Sequence, residues 1–443
     1  MSWTDADQHA PAARGVVIAA PRSGSGKTVI TLGLIAALRA RGHVVAAAKT
    51  GPDYIDKSIL YRAAPAINLD PWAMSAARLR TLAANHAGTG LLVVEGVMGL
   101  FDGAADATGS TADLAQTLDL PVILVVDATG QSQSIAALVH GYSTYRPGLS
   151  IAGVILNRVA SPRHESLLRQ ALTPLRIPVL GAIPRDTGLH LPERHLGLVL
   201  PDEIDGFPAV LAHAEATAVA HIDLHRLMEI AAPLSPPSES SSRLAPLGQR
   251  IAIASDRAFA FVYDHMLADW RAAGAELHVF SPLADEAPSP DADAVFLPGG
   301  YPELHAATLA AATRFKSGLA AAAARGALIY GECGGYMVLG DGLTAADGTR
   351  HAMAGLLPVS TDFSRPRRRL GYRRLSQSGA LPWPRHVLGH EFHYSGEDAA
   401  PTGPPLFAAT TADGEPLPPM GCVVGRVMGS YAHVIDAALA AGA

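Results

Sequence analysis

The stretch Ala20-Pro-Arg-Ser-Gly-Ser-Gly-Lys-Thr28 limits the possible folds of this chain more than any other. The apolar run Gly15-Val-Val-Ile-Ala-Ala20 leads into it, and a helical pattern over residues 28–38 leads out. A glycine-rich turn between a buried strand and a helix makes a phosphate cradle. The small residues Ser23, Gly24, Ser25 and Gly26 let backbone N–H groups face an anion, and the helix adds its positive end. Lys27 is placed to reach terminal phosphates, and the Thr28 hydroxyl to bind Mg²⁺. The motif usually opens with Gly, and here that position is Pro21. An ordinary strand-to-helix turn would not need Lys-Thr directly after Gly26, so a nucleotide site is the stronger reading.

The chain has 443 residues, too many for one core, so two or three domains are expected. With 49% hydrophobic and 17% charged residues it reads as folded domains. A net charge of −6 argues against a general nucleic-acid binder, and no apolar run has membrane-spanning length. The first ten residues lack the pattern of a signal peptide, and Cys333 and Cys422 are the only cysteines. These features predict a soluble, reduced, cytoplasmic protein without a disulfide framework.

Residues 1–13 read as a disordered tail. Buried strands are predicted at 44–49, 91–94, 122–126, 151–156 and 179–183. Helical patterns lie between them at 112–118, 132–145 and 162–172. Such alternation predicts a doubly wound α/β domain over 14–232, with a parallel sheet covered on both faces. The Pro- and Ser-rich stretch 233–248 reads as a linker. A second α/β alternation fills 249–443. It has strands at 250–254, 276–280, 294–297 and 327–330, and helices over 261–273 and 305–324.

In the first domain, acids follow the predicted strands, where loops converge on the nucleotide crevice. Asp53 and Asp56 lie in Gly51-Pro-Asp-Tyr-Ile-Asp56, and Glu95 and Asp102 in Glu95-Gly-Val-Met-Gly-Leu-Phe-Asp102. Glu95, with Asp53 and Thr28, is the expected Mg²⁺ set, because a hard cation prefers oxygen. Asp56 and Asp113 read equally well as functional acids or as turn-formers and helix N-caps. Lys49 is either a surface residue or a neutraliser of charge on a transferred phosphoryl group. Asp53, Tyr54 and Asp102 join it as candidates around the acceptor substrate. Asp127 ends the next strand, and Asn157 and Arg158 the one after; the Asn157 amide is placed to read a base edge.

In the second domain, Tyr330-Gly-Glu-Cys333-Gly-Gly has the form of a nucleophile elbow, in which a helix N-terminus favours thiolate. His433 is the base chosen among 18 histidines, and Cys422 reads as core. Gly299 and Gly300, in Leu297-Pro-Gly-Gly-Tyr-Pro-Glu303, can offer N–H groups to an oxyanion. His390 and His393 have the spacing of a metal pair but no evident third ligand, so they read as structural or substrate-lining. The basic group Arg365, Arg367, Arg368 and Arg369 is a solvated surface or an attractor of carboxylates.

These motifs, with Leu-Pro-Glu-Arg-His-Leu-Gly-Leu at 191–198, resemble a known series over nearly the whole chain. The first domain resembles the P-loop, dethiobiotin-synthetase-like ATPases, and the second a class I glutamine amidotransferase. Their order is similar to that of the amidotransferase-fused a,c-diamide synthases of cobalamin synthesis, above all the branch acting on a metal-free ring. The resemblance implies that ATP, glutamine and Mg²⁺ are used to amidate two acetate side chains of a corrinoid. It implies Cys333 as glutaminase nucleophile and His433 as its activator. The usual acid two residues after that histidine is replaced by Ile435, which leaves a dyad. Small molecules are then the expected partners, without nucleic acid or membrane, and a homodimer is compatible with this reading. The same reaction on cobyrinic acid or Ni-sirohydrochlorin is the rival within the class, and an ATPase switch of the ParA/MinD kind with an inactive amidotransferase domain is the rival from another class.

Overall fold

A computed structural model describes residues 13–191, 204–237, 243–397 and 402–437. The proposed tail up to residue 12, positions 192–198 of the quoted motif and the middle of the proposed linker lie outside these residues. The chain divides into two compact units, Met1–Gly103 with Ala107–Ser241, and Ala104–Asp106 with Ser242–Ala443.

The first unit is built on an eight-stranded sheet. Its strands are β1 (Arg14–Ala19), β2 (Val45–Thr50), β3 (Ala66–Leu69), β4 (Leu91–Glu95), β5 (Val122–Asp127), β6 (Ile151–Val159) and β7 (Val179–Pro184). They run parallel in the order β3-β2-β4-β1-β5-β6-β7, and β8 (Ala232–Pro233) pairs antiparallel with β1. Residues 16–18 and 122–126 have no exposed surface, which is the reason for their unbroken apolar sequence: helices cover both faces. Those helices are α1 (Lys27–Ala40), α2 (Tyr54–Tyr61), α3 (Ala76–Ala87), α4 (Thr111–Leu118), α5 (Ile135–Thr144), α6 (Pro162–Leu172), α7 (Phe207–His221) and α8 (Leu224–Ile230). The order places β1 between β4 and β5, so the loops after β1, β2, β4 and β5 share one end of the sheet.

The second unit has a six-stranded sheet ordered β10-β9-β11-β12-β22-β21. Strands β9 (Arg250–Ala254), β10 (Glu276–Phe280), β11 (Ala294–Leu297) and β12 (Leu328–Glu332) match their sequence pattern closely. Three short strands, β13 (Gly342–Thr344), β14 (Arg350–Ala352) and β15 (Ser360–Asp362), form a small sheet with β18 (Gly396–Glu397). A five-stranded antiparallel sheet contains β16 (Arg369–Gln377), β17 (His386–His393), β19 (Phe407–Thr411), β20 (Pro416–Met420) and β23 (Ala432–Asp436). The remaining strands of the larger sheet are β21 (Cys422–Val424) and β22 (Val427–Ser430). Helices α9 (Asp264–Ala272), α10 (Ala306–Ala311), α11 (Thr313–Ala324) and α12 (Gly334–Leu339) complete the unit.

The expected single helix over 305–324 is two. It breaks at Ala312, where Asp285 accepts a hydrogen bond from Phe315 N at 2.9 Å and caps the new helix from another segment. The helix expected from 261 starts at Asp264, because Phe261 N instead donates to Gly299 O at 2.9 Å. The ends of the proposed linker are packed: Leu234 N donates to Ala13 O, Leu244 and Leu247 are buried, and Ala245 O accepts from the Trp383 indole. Among the described residues, no helix is long and apolar enough to cross a membrane.

Candidate functional site

The turn after β1 closes with Gly24 at φ 75° and Gly26 at φ 89°, both in the left-handed region. Gly26 is required a second time, because a Cβ there would lie 2.3 Å from Asn157 Nδ2. That amide donates to Ser25 O at 2.8 Å, while its oxygen accepts from Arg158 N at 2.9 Å. Asn157 therefore holds the loop in shape and has both ends engaged. Its neighbour Arg158, forced to φ 58°, reaches Asp127 at 2.7 Å, and Arg22 reaches the same carboxylate at 3.3 Å. Asp127 thus acts as a local anchor, and its pKa is lowered by the Thr129 and Arg158 hydrogen bonds despite partial burial.

Lys27, Thr28, Lys49, Asp53, Asp56 and Glu95 form one charged group. Thr28 Oγ1 donates to Glu95 Oε1 at 2.7 Å, and Lys49 Nζ reaches the same oxygen at 3.0 Å. Lys49 also pairs closely with Asp56 and is only 1% exposed, which excludes the surface reading. Burial acts to lower the Lys49 pKa, but Asp56, Glu95 and Asp53 outweigh it and hold it above that of a free lysine. Burial pushes Lys27 down to about 8, helped by Lys49. Lys27 Nζ donates to Met98 O at 2.6 Å, which joins the phosphate loop to the loop after β4.

Asp53 Oδ1 accepts from Ile55 N and Asp56 N at 3.0 and 2.9 Å, capping α2. Burial and Asp56 push its carboxyl up to about 7. Tyr54 follows it, buried at the start of α2. Asp102 Oδ2 accepts from Gly99 N at 2.9 Å and shapes the turn before α4. Asp113 completes a capping box with Ser110, while Asp56 belongs to the lysine cluster.

Glu95 Oε2 is buried without a hydrogen-bond partner. Burial raises the pKa of this carboxyl, against the pull of Lys49. An unused carboxylate oxygen beside a threonine hydroxyl and a phosphate loop is a donor set that fits a hard divalent cation. Among the described residues, no three His, Cys, Asp or Glu side chains group as a metal site by themselves. A cation here would therefore share its ligands with phosphate oxygens and water.

In the second unit, Cys333 sits between β12 and α12 at φ 47° and ψ −107°, a strained conformation for a side-chain-bearing residue. The turn is an elbow, as its glycine surroundings predicted. His433 arrives on β23, three residues beyond the end of β22, which is the neighbour of β12. A Cβ on Gly299 would lie 2.3 Å from His433 Cε1 and 3.2 Å from Cys333 Cβ, so thiol and imidazole flank the same backbone point. Gly299→Ala is expected to cut glutamine hydrolysis by about 10²-fold or more while the fold survives, measured as glutamate release against circular dichroism. Retained hydrolysis would mean that the two side chains can separate without loss.

Burial pushes the Cys333 thiol well up, with Glu303 and then Glu332 and Glu391 adding to it; only the Gly334 N–H pulls down. The expectation that the helix end favours thiolate is thus corrected: α12 is six residues long, and burial dominates. Burial likewise pushes His433 down to about 3, with His390 and His393 contributing. Burial thus disfavours both the thiolate and the imidazolium. Glu303 is also raised by burial, to about 7.

His390 lies directly opposite His433 in the β17–β23 register and is pushed by burial to about 4. His393 bonds Glu391 and Ser395, each at 2.9 Å, and stacks on Tyr431. Both histidines are buried on β17. Cys422 is fully buried. The segment from Arg365 to Arg369 is exposed. Sequence reasoning missed Glu332, which is buried and has Oε2 3.8 Å from His433 Nδ1. Its signal was weak, since it precedes the cysteine in a strand that is otherwise apolar.

Comparison with known proteins agrees with this two-site geometry. Residues 16–199 match the CobQ/CobB/MinD/ParA nucleotide binding domain, and residues 250–439 the CobB/CobQ-like glutamine amidotransferase domain. Hydrogenobyrinate a,c-diamide synthase of Brucella suis biovar 1 (strain 1330) is 54% identical over 96% of this chain and 98% of its own. The protein of that name from a Sinorhizobium species is 53% identical over 96% and 100%, and that of Rhodobacter capsulatus 48% over 95% and 98%. The phosphate loop and the cysteine elbow therefore sit in a chain that belongs to the hydrogenobyrinate a,c-diamide synthase family.

Proposed function

We propose that this protein converts the a and c acetate carboxylates of hydrogenobyrinate into amides, using ATP and glutamine. One observation carries the reading. A chain of this family has both a lysine-bearing phosphate loop and an elbow cysteine flanked by a histidine, the parts needed to activate an acid and to free ammonia.

A carboxylate does not condense with ammonia directly, because its carbonyl carbon is too electron-rich and oxide is a poor leaving group. In the proposed route a carboxylate oxygen attacks the γ-phosphorus of ATP, ADP leaves, and an acyl phosphate forms. The N–H groups at Ser23, Gly24, Ser25 and Gly26 hold the phosphates, and Lys27 leaves Met98 O to follow the transferred charge. Lys49, kept protonated by its carboxylates, faces the same charge from β2. Asp53, Tyr54 and Asp102 line the acceptor side. Thr28 and Glu95, with Asp53 beyond them, would hold Mg²⁺, which supplies charge neutralisation on the phosphates. In the second unit the Cys333 sulfur attacks the glutamine amide carbon, while His433 takes the thiol proton and returns one to the departing ammonia. Gly299 and Gly300 N–H groups stabilise the tetrahedral oxyanion, and water releases glutamate from the thioester. The ammonia attacks the acyl phosphate, and phosphate leaves.

The test is amidation of hydrogenobyrinate with ATP, glutamine and Mg²⁺, followed by mass spectrometry. Two carboxyl-to-amide conversions are expected, each requiring one ATP. No conversion of either this ring or its cobalt-bearing counterpart would overturn the reading, and conversion of the cobalt form alone would reassign the substrate. ATP hydrolysis without any glutamate release would favour the switch alternative.

A further inference from the structure

The glutaminase site as read above has a nucleophile and a base but no acid in the place where such sites usually keep one. Ile435, two residues after His433, is fully buried at a β-bulge in the β17–β23 register. Asp436 lies 3.7 Å from His265. Glu391 is committed to Arg373 and His393.

We propose that Glu332, supplied by the strand before the nucleophile, is the residue that positions His433 for glutamine hydrolysis. The inference rests on the assignment of Cys333 and His433 to that step. Glu332 ends β12, where it lies opposite Ser430 in the β12–β22 register. One carboxylate oxygen is fixed: Oε1 accepts from Tyr330 OH at 2.9 Å and from Val434 N at 3.0 Å. The second bond fastens it to the backbone of the residue directly after His433. The other oxygen, Oε2, then lies 3.8 Å from His433 Nδ1. The carboxylate thus spans the backbone of β23 and the side chain it must orient.

The chemistry needs this group. A proton moved from the Cys333 thiol to His433 creates an imidazolium in a buried site that already disfavours one. Burial pushes the Glu332 carboxyl itself up to about 8, against the hydrogen bonds from Val434 N and Tyr330 OH; once ionised, a carboxylate at Nδ1 keeps the proton on that nitrogen, leaves Nε2 to act as base, and offsets the charge when it forms. Contacts of this kind tighten from resting distance when substrate binds. Glu332 touches neither substrate nor sulfur in this role, so it is a positioning residue.

The experiment compares Glu332→Gln and Glu332→Asp in the full chain, measuring kcat and KM with glutamine and with ammonium chloride. Gln has the same size and can still accept from Val434 N, but it places an amide where Nδ1–H needs an acceptor. Its glutamine-dependent kcat is expected to fall on the order of 10²-fold or more, with KM for glutamine and ammonia-dependent amidation changed by less than about threefold. Asp, which restores the charge on a shorter arm, should recover part of the loss. A Gln variant that keeps its glutamine-dependent kcat within about threefold would overturn the inference. So would a parallel loss of ammonia-dependent activity, which would mark Glu332 as purely structural. Glutamine-dependent turnover surviving in Cys333→Ala would instead overturn the glutaminase assignment beneath it.

Discussion

Cys333→Ala is expected to abolish amidation from glutamine and to leave amidation from ammonia. The expected loss with glutamine is about 10⁴-fold or more, because no other described group can form the thioester and the reaction has no second route. The thiol lies on a strained elbow whose geometry belongs to the backbone of β12 and α12, so a smaller side chain there leaves the fold in place. Supplied ammonia bypasses the step. The measurement is amide formation with each nitrogen donor, at a pH high enough for free ammonia to be present. Loss with both donors would show that Cys333 also serves the ligase step.

Lys27→Ala removes amidation with either donor. The lysine is the side chain of the phosphate loop able to follow charge onto the transferred γ-phosphoryl group, and removing such a group costs on the order of 10³-fold or more. Glutamine hydrolysis at Cys333 is a separate reaction and should continue at a measurable rate. The contrast between ADP release and glutamate release therefore separates the two sites. Lys27 is also part of the structure, through its bond to Met98 O. A thermal melt of the variant distinguishes a lost catalyst from a displaced loop. Undiminished ADP formation tied to amidation would transfer the catalytic role to Lys49.

The elements that could be read from the sequence share one property: their pattern follows from local chemistry. The strands of the first sheet are apolar throughout because both faces are covered, and they were recognisable at β1, β2, β4, β5, β6 and β7. The β3 strand and α2, α3 and α7 were not, since short or alanine-rich segments lack a distinctive period. The five-stranded antiparallel sheet was also missed as a sheet. Its strands pair residues far apart in sequence, for example His390 with His433, and no local signal states such a register.

Individual residues divide in the same way. The phosphate loop and the cysteine elbow are legible because their function needs glycines beside the reactive side chain, an arrangement written within a few positions. For Asn157 the position at a strand end was visible but its partner, Ser25 O, was not. The Cys333 thiol was expected to be favoured as thiolate by a helix end, whereas burial is the larger effect. Burial is a property of everything packed around a residue, so no stretch of neighbours announces it.

The sequence alone therefore determined two α/β units, a glycine-rich turn between strand and helix at Ser23–Thr28 and a strand-to-helix elbow at Cys333, since each follows from short-range steric and hydrogen-bonding needs. Only the tertiary structure decided what surrounds them. It clustered Lys49 with Asp56 and Glu95, set Gly299 between thiol and imidazole, and brought Glu332 to His433 from a different strand. Electrostatic and steric partners are chosen by distance in space, and chain folding alone sets those distances.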